Sequence, residues 1–301
     1  MTSQKRSVVL ISNPQAGRTG ARRVDAVLRF CRHLKKRGVE VEVMNTTGPG
    51  DAACLAKQAV SEGWREVIVS GGDGTINEAL QGLVGTDARL AIWPRGTANV
   101  LARELRLPFN IEALAEVIAQ GKTRRISVGC ATAERTGEER YFFLMAGVGL
   151  DASIVHRVPP RLKKLIGEAA FWYSGLGHLA DWEPAPFSVE VEGSTFPATF
   201  AAFGKAPRYG GRLAITPRAR LDQTEFEICI VDSISRLHYL YLLSHAMRNG
   251  VAENATGVRF IRTRRARAEG SALVQVDGEL IGQLPMTFEM TTHSIEVVAA
   301  F

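Results

Sequence analysis

Residues 1–125 alternate short apolar runs with stretches of helical period. Ser7-Val-Val-Leu-Ile-Ser12 is one such run, and it stops at Asn13-Pro14, a turn signal. From Gly20 to Arg37, Val24, Val27, Leu28, Cys31 and Leu34 recur at helical intervals, with Arg and Lys between them. Val39-Glu-Val-Glu-Val43 alternates as a half-buried strand does, and Asp51 is placed to cap a helix running to Ser61. Glu66-Val-Ile-Val-Ser70 and Arg89-Leu-Ala-Ile-Trp93 are two further apolar strands. Helices are predicted after them, from about Thr75 to Leu83 and from Gly96 to Leu105. Continuous apolar strands alternating with helices imply a parallel sheet covered on both faces.

The texture changes after Gln120-Gly121-Lys122. Strand patterns follow at 126–130, 141–146, 187–191, 196–203, 226–231, 258–263, 273–276 and 286–290, many of them joined by Gly-containing turns. Helical exceptions fall at 161–180 and 235–249. Many short strands with such turns predict an antiparallel sandwich. The predicted boundaries are 1–125 for an α/β domain and 126–291 for a β-sandwich; the pattern alone leaves open whether about 292–301 returns to the first domain.

The chain has 301 residues, 46% apolar and 23% charged, which suits a folded globular protein and excludes wholesale disorder. No apolar run approaches the ~18 residues that mark a membrane-spanning helix. Met1 to Arg6 lacks the pattern of a secretion leader, so a cytoplasmic location is expected. Cys31, Cys54, Cys130 and Cys229 are scattered, which disfavours a metal cluster or disulfide framework. The net charge of +6 favours anionic partners.

Chemistry concentrates in the turns. Gly71-Gly72-Asp73-Gly74-Thr75 stands between a strand and a helix. A turn without Cβ atoms lets main-chain N–H groups approach a phosphate, and the helix start adds unpaired N–H groups. Asp73 suits such a place if a divalent cation bridges it to the phosphates, directly or through water. Asn13-Pro-Gln-Ala-Gly17 and Pro94-Arg-Gly-Thr-Ala-Asn99 also follow strands, so all three turns belong at the carboxyl edge of the sheet, where ligands bind open α/β folds. Gly121-Lys122-Thr123 imitates the end of a phosphate loop but follows a helix and lacks the first Gly.

These segments, with Gly147-Val-Gly-Leu-Asp-Ala152, Ile215-Thr-Pro-Arg-Ala219 and Val276-Asp-Gly-Glu279, resemble the diacylglycerol kinase catalytic family in its bacterial soluble lipid-kinase branch. The resemblance implies an NAD kinase/diacylglycerol kinase-like nucleotide domain, a C-terminal β-sandwich, an ATP site in the cleft between them and a last strand returning to the first domain. It implies that ATP, with Mg2+, contacts Asn13, Thr46, Gly71, Gly72, Asp73, Gly74, Thr75, Asn77 and Thr97. Asp73 would be catalytic and the metal ligand, and Glu279 the general base that takes the proton of a lipid hydroxyl.

The activity implied is a lipid kinase converting diacylglycerol to phosphatidic acid. A sphingoid-base or ceramide kinase, an NAD kinase-like enzyme and a non-catalytic nucleotide-binding regulator are the alternatives. The expected partners are the lipid substrate, reversibly an anionic membrane surface at the inner face, and a possible second copy in a homodimer; no nucleic acid is expected. Two basic segments, 156–177 and the five-arginine stretch 259–267, are candidates for membrane contact. Two departures from the family pattern stand out. Val100 occupies a position where many relatives have Asp. The Leu-Asp-Asp-Gly segment, which carries a structural magnesium in some members, here reads Leu221-Asp-Gln-Thr224.

Overall fold

The computed structural model describes residues 6–16, 21–150, 152–153, 183–209, 213–248, 250–251 and 254–300. The chain forms two compact units, 1–126 with 293–301, and 127–292. The helix expected at 161–180 and the basic segment 156–177 lie outside the described residues.

In the first unit, β1 (Arg6–Ser12), β2 (Val39–Asn45), β3 (Glu66–Gly71) and β4 (Arg89–Pro94) form a parallel sheet in the order β2-β1-β3-β4. Its far edge is closed by the end of the last strand, where Val297 pairs in parallel with Leu90. The central strands are buried along most of their length, as continuous apolar runs require. The helices pack in pairs, α1 (Ala21–Lys35) with α5 (Ile111–Gln120) and α2 (Asp51–Ser61) with α3 (Asp73–Leu83). The α2–α3 contact depends on Gly82, where an added Cβ would stand 2.5 Å from the Ala53 carbonyl oxygen.

Three sequence expectations change here. The buried stripe of α1 is Ala26, Phe30 and Leu34, and it leaves Val24 and Leu28 exposed. Phe30 stacks on Trp93 with ring centroids 4.2 Å apart, and that large aromatic contact sets the rotation of the helix. Asp51 is the first residue of α2 rather than its cap; its carboxylate accepts from Thr47 N, Thr47 Oγ1 and Gly48 N, bracing the preceding turn. The helix expected from Gly96 is the short α4 (Val100–Glu104).

The second unit is a sandwich of antiparallel pairs. One sheet runs β14-β13-β10-β7-β16-β17, from Val258–Thr263, Phe226–Val231, Phe200–Gly204, Met145–Gly149, Leu273–Val276 and Glu279–Gln283. The other is built from β5 (Thr123–Ala133), β6 (Glu139–Phe142), β8 (Phe187–Val191), β9 (Ser194–Ala198), β15 (Arg265–Glu269) and β18 (Met286–Val298). Phe142, Val189 and Phe288 from one sheet meet Val148, Phe203 and Val274 from the other in a shared core. Helix α6 (Arg236–Arg248) lies within the same unit.

The predicted strand 196–203 and the five-arginine stretch 259–267 each prove to be two strands that change sheets, while the predicted strand 258–263 is β14. The run 196–203 breaks at Thr199: β9 pairs with β8, and β10 pairs with β7 and β13. The five-arginine stretch breaks at Arg264, so β14 and β15 lie in opposite sheets. Arg259 then stacks over Phe196, Arg262 donates to the Arg218 carbonyl, and Arg267 pairs with Glu134 and Glu269. The five arginines of that stretch are therefore divided between two sheets, with Arg264 at the crossing.

Gly82→Ala should destabilise the protein by about 1–3 kcal/mol, because the rigid α2 backbone stands where the new methyl would go. Urea unfolding of the variant beside wild type measures this.

Candidate active site

The parallel register brings the strand ends level. Ser12 aligns with Asn45 and Ser70, and Gly71 with Pro94. Three main-chain bonds carry the ladder one residue further: Asn13 N to Ser70 O at 2.9 Å, Thr46 N to Ser12 O at 3.0 Å and Arg95 N to Gly71 O at 2.8 Å. Asn13, Thr46, Gly72 and Arg95 therefore leave the sheet at one edge, and the predicted turns converge there.

The turns are locked to one another. Asn13 Nδ2 donates to Thr75 Oγ1 at 2.9 Å, while Asn13 Oδ1 accepts from Gln15 N at 2.8 Å. The Thr75 side chain fills the space beside Gly71, where an added Cβ would lie 2.5 Å from Thr75 Cβ. Gly72 and Gly96 pack backbone to backbone, and a Cβ on Gly96 would stand 2.5 Å from Gly72 Cα. At Gly71 and Gly72 the missing Cβ is thus already required by the protein's own packing, whatever ligand approaches.

Asp73 ties the same two turns. As the first residue of α3 it accepts Val100 N at 3.2 Å and Leu101 N at 3.3 Å through its two oxygens. These are N–H groups at the start of α4 that no preceding turn can satisfy. Burial pushes the Asp73 carboxyl above its ordinary range, opposed by the amides that hold it. Asn99, in the left-handed region at φ 47, cinches its own turn: Gly96 N donates to Oδ1 and Nδ2 donates to Gly96 O, both at 2.8 Å. Asparagine tolerates that backbone conformation better than most residues.

The remaining residues of the nucleotide set are placed unequally. Gly74 lies in the first turn of α3, Thr97 is exposed in the β4–α4 turn, and Thr46 is buried at the end of β2. Asn77 is 1% exposed in the second turn of α3, where its Oδ1 and carbonyl oxygen accept from Gln81 Nε2. Arg95 lies over the Trp93 ring at 4.9 Å. Among the described residues no cluster of three or more His, Cys, Asp or Glu forms a metal cage. The edge offers helix-start amides, hydroxyls and one arginine, which is chemistry suited to a polyphosphate.

Glu279 belongs to the second unit. β16 and β17 are joined by Asp277-Gly278, with φ 47 and 87, the left-handed pair of a two-residue hairpin. The Asp277 carboxylate is buried and accepts Phe143 N, Leu144 N and Met145 N at 2.9–3.0 Å. Its own N–H donates to Met145 O at 2.9 Å. One residue beyond the turn, Glu279 pairs with Arg140 Nη2 at 2.5 Å, and the buried Nε of Arg140 finds no acceptor among the described residues. Sequence reasoning saw Asp277 only as a turn residue and missed Arg140, whose partner lies 139 positions away.

Residues 7–131 match the diacylglycerol kinase catalytic domain, and 145–299 match the YegS C-terminal NAD kinase beta sandwich-like domain. A Mycobacterium tuberculosis diacylglycerol kinase is 31% identical over 296 residues, covering 97% of this chain and 94% of that protein. The chain belongs to the diacylglycerol kinase family. A Bacillus subtilis diacylglycerol kinase is 28% identical, with 96% and 95% of the two chains covered. The crystal structure of a diacylglycerol kinase from Bacillus anthracis superposes with a TM-score of 0.75 over 100% of this chain and 98% of that one, at 19% identity, which supports the fold. As a member of a lipid kinase family this chain is a phosphotransferase, and the α/β unit followed by a sandwich is the expected architecture.

An ionised Asp73 is harder to hold in the folded diacylglycerol kinase family chain than in the unfolded one. Its contribution to stability is therefore greatest below about pH 4, where both states are protonated, and declines as pH rises through the raised folded pKa. Asp73→Asn lacks this dependence. The melting temperature of wild type minus that of the variant should fall between acid and neutral pH; a flat or rising difference would show that Asp73 is not desolvated.

Proposed function

We propose that this protein is an ATP-dependent kinase that transfers the γ-phosphoryl group to the hydroxyl of diacylglycerol, giving phosphatidic acid. The observation that carries the reading is the convergence of the Asn13, Gly71–Thr75 and Pro94–Asn99 turns at one sheet edge, cross-tied by Asp73. The relatives named diacylglycerol kinase over almost the full chain supply the substrate class.

In this reading the polyphosphate rests on the first turn of α3, with Thr97 and Arg95 beside it. Mg2+ bound with the nucleotide would supply neutralisation of phosphate charge. Asp73 already gives an acceptor site on each oxygen to an amide, so its first duty is to position the turns, and any bond to the metal or its water uses the lone pairs left over. Phosphoryl transfer asks for positioning, charge neutralisation and removal of one proton. The lipid hydroxyl gives its proton to the Glu279 carboxylate, its oxygen bonds to the γ-phosphorus, and the bond from that phosphorus to the bridging oxygen breaks to release ADP. Arg140 fixes the rotamer of Glu279 for that task.

A lipid substrate requires contact with a bilayer. We assign it, among the described residues, to the outer side of α6, where Leu237, Tyr241 and Met247 are exposed between Arg236 and Arg248. Apolar side chains flanked by cations suit an anionic membrane surface.

Pure protein given labelled ATP, Mg2+ and a panel of diacylglycerol, ceramide, sphingoid base and NAD should label diacylglycerol. Labelling of another acceptor reassigns the substrate, and ATP binding with no labelled acceptor makes the chain a nucleotide-binding regulator. Glu279→Gln should lower turnover ~10²–10⁴-fold while nucleotide affinity is retained; near-normal turnover would remove Glu279 as the base. Leu237→Glu with Met247→Glu should weaken sedimentation with phosphatidylglycerol vesicles severalfold, and unchanged sedimentation would move the contact elsewhere.

A further inference from the structure

The turn at 220–223 departs from the family's metal-bearing form, and the structure shows what stands there. Lys205, directly after β10, is 0% exposed. Its ammonium donates to the Gln223 carbonyl in a short contact and to the Arg220 carbonyl at 3.5 Å. The Arg220 carbonyl also accepts Gln223 N at 3.1 Å, closing the turn around the charge. Asp222 lies close enough to favour the charged form, although burial pulls the amine down to about 8. A cation seated in this turn would compete with the ammonium for the Arg220 and Gln223 carbonyls, while the Asp222 carboxylate pairs with Arg220 Nε at 3.3 Å. With Gln223 in place of the second carboxylate and an ammonium already on the carbonyls, the donor set does not fit a divalent ion: charge repulsion and occupied lone pairs both oppose it.

We propose that the Lys205 ammonium is a built-in replacement for the structural divalent cation, so that this chain braces the 220–223 turn without metal. The brace reaches the candidate base. Lys205 N and Ala206 N both donate to the Leu144 carbonyl, at 2.7 and 3.1 Å. The N–H of the same Leu144 is held by Asp277, two residues before Glu279. The internal cation, the Leu144 peptide and the Glu279 hairpin therefore form one continuous hydrogen-bonded path within the second unit. The Mg2+ that accompanies a nucleotide is separate from this site.

The inference rests on the family match and not on the lipid substrate, and its readout needs no turnover. The full chain is stripped of metal with EDTA and melted without nucleotide, with and without millimolar MgCl2. The melting temperature should not move; a rise of several degrees on adding Mg2+ would overturn the proposal. A triple variant, Lys205→Asn with Gln223→Asp and Thr224→Gly, removes the ammonium and restores the acidic turn. It should gain a melting temperature that rises with Mg2+ and falls with EDTA, or fold only when Mg2+ is present. A folded triple variant indifferent to Mg2+ would show that lysine and metal are not interchangeable here, and would equally overturn it. Should the triple variant fold under neither condition, the wild-type melt alone decides the outcome.

Discussion

Two loops that must touch without side chains set the geometry of the first unit. Gly72 and Gly96 approach so closely that a methyl group on Gly96 would clash with the other backbone, 2.5 Å from Gly72 Cα. The contact is then fastened by Asp73, whose carboxylate takes two amides of the neighbouring loop. Backbone contact alone is weak and non-directional. A charge-assisted bond alone would leave the loops free to pivot. Together they fix where the first turn of α3 points, and hence where its unpaired N–H groups can meet an anion. The burial that raises the Asp73 carboxyl is the cost of placing that fastening beneath the surface.

Much of this was legible in the sequence because the informative residues are local. Apolar runs gave the four parallel strands, and Asn-Pro and Gly-Gly-Asp-Gly gave their ends. What local pattern could not supply was long-range partnership. The helical period of 20–37 fits Val24 and Leu28 as well as Ala26 and Phe30, and only the Trp93 ring, far along the chain, decides between them. The run 196–203 and the five-arginine stretch 259–267 each read as one strand because nothing in the local pattern marks the crossing between sheets. The crossing itself falls at residues, Thr199 and Arg264, whose chemistry does not announce it.

The glycines show a subtler limit. The sequence marks them as loops that exclude side chains, and the structure adds a neighbour within the protein that requires the same absence. At Gly71 the excluded volume belongs to Thr75, and at Gly72 to Gly96. A sequence shows that a Cβ is not wanted and cannot show what occupies the space. Asp277 poses the same difficulty from the polar side. Its Asp-Gly dipeptide is a sufficient hairpin signal, so nothing in the string asks for the three amides at 143–145 that its carboxylate holds.

Asp73 and Asp277 share a design that neither motif reveals alone. In each, an Asp-Gly pair sits at a turn, and the aspartate spends both oxygens on main-chain amides of a distant segment. The residues to which the proposed reading gives chemistry follow within two positions: Thr75 after Asp73, and Glu279 after Asp277. Carboxylates bonded to amides are rigid, because the backbone they grip cannot rotate as a side chain would. The glycine that follows keeps the chain close and unobstructed. A group placed one or two residues beyond such an anchor inherits its position from a distant part of the fold, so each aspartate acts first as a fastener, whether its sequence context suggests metal chemistry, as at Asp73, or only a turn, as at Asp277.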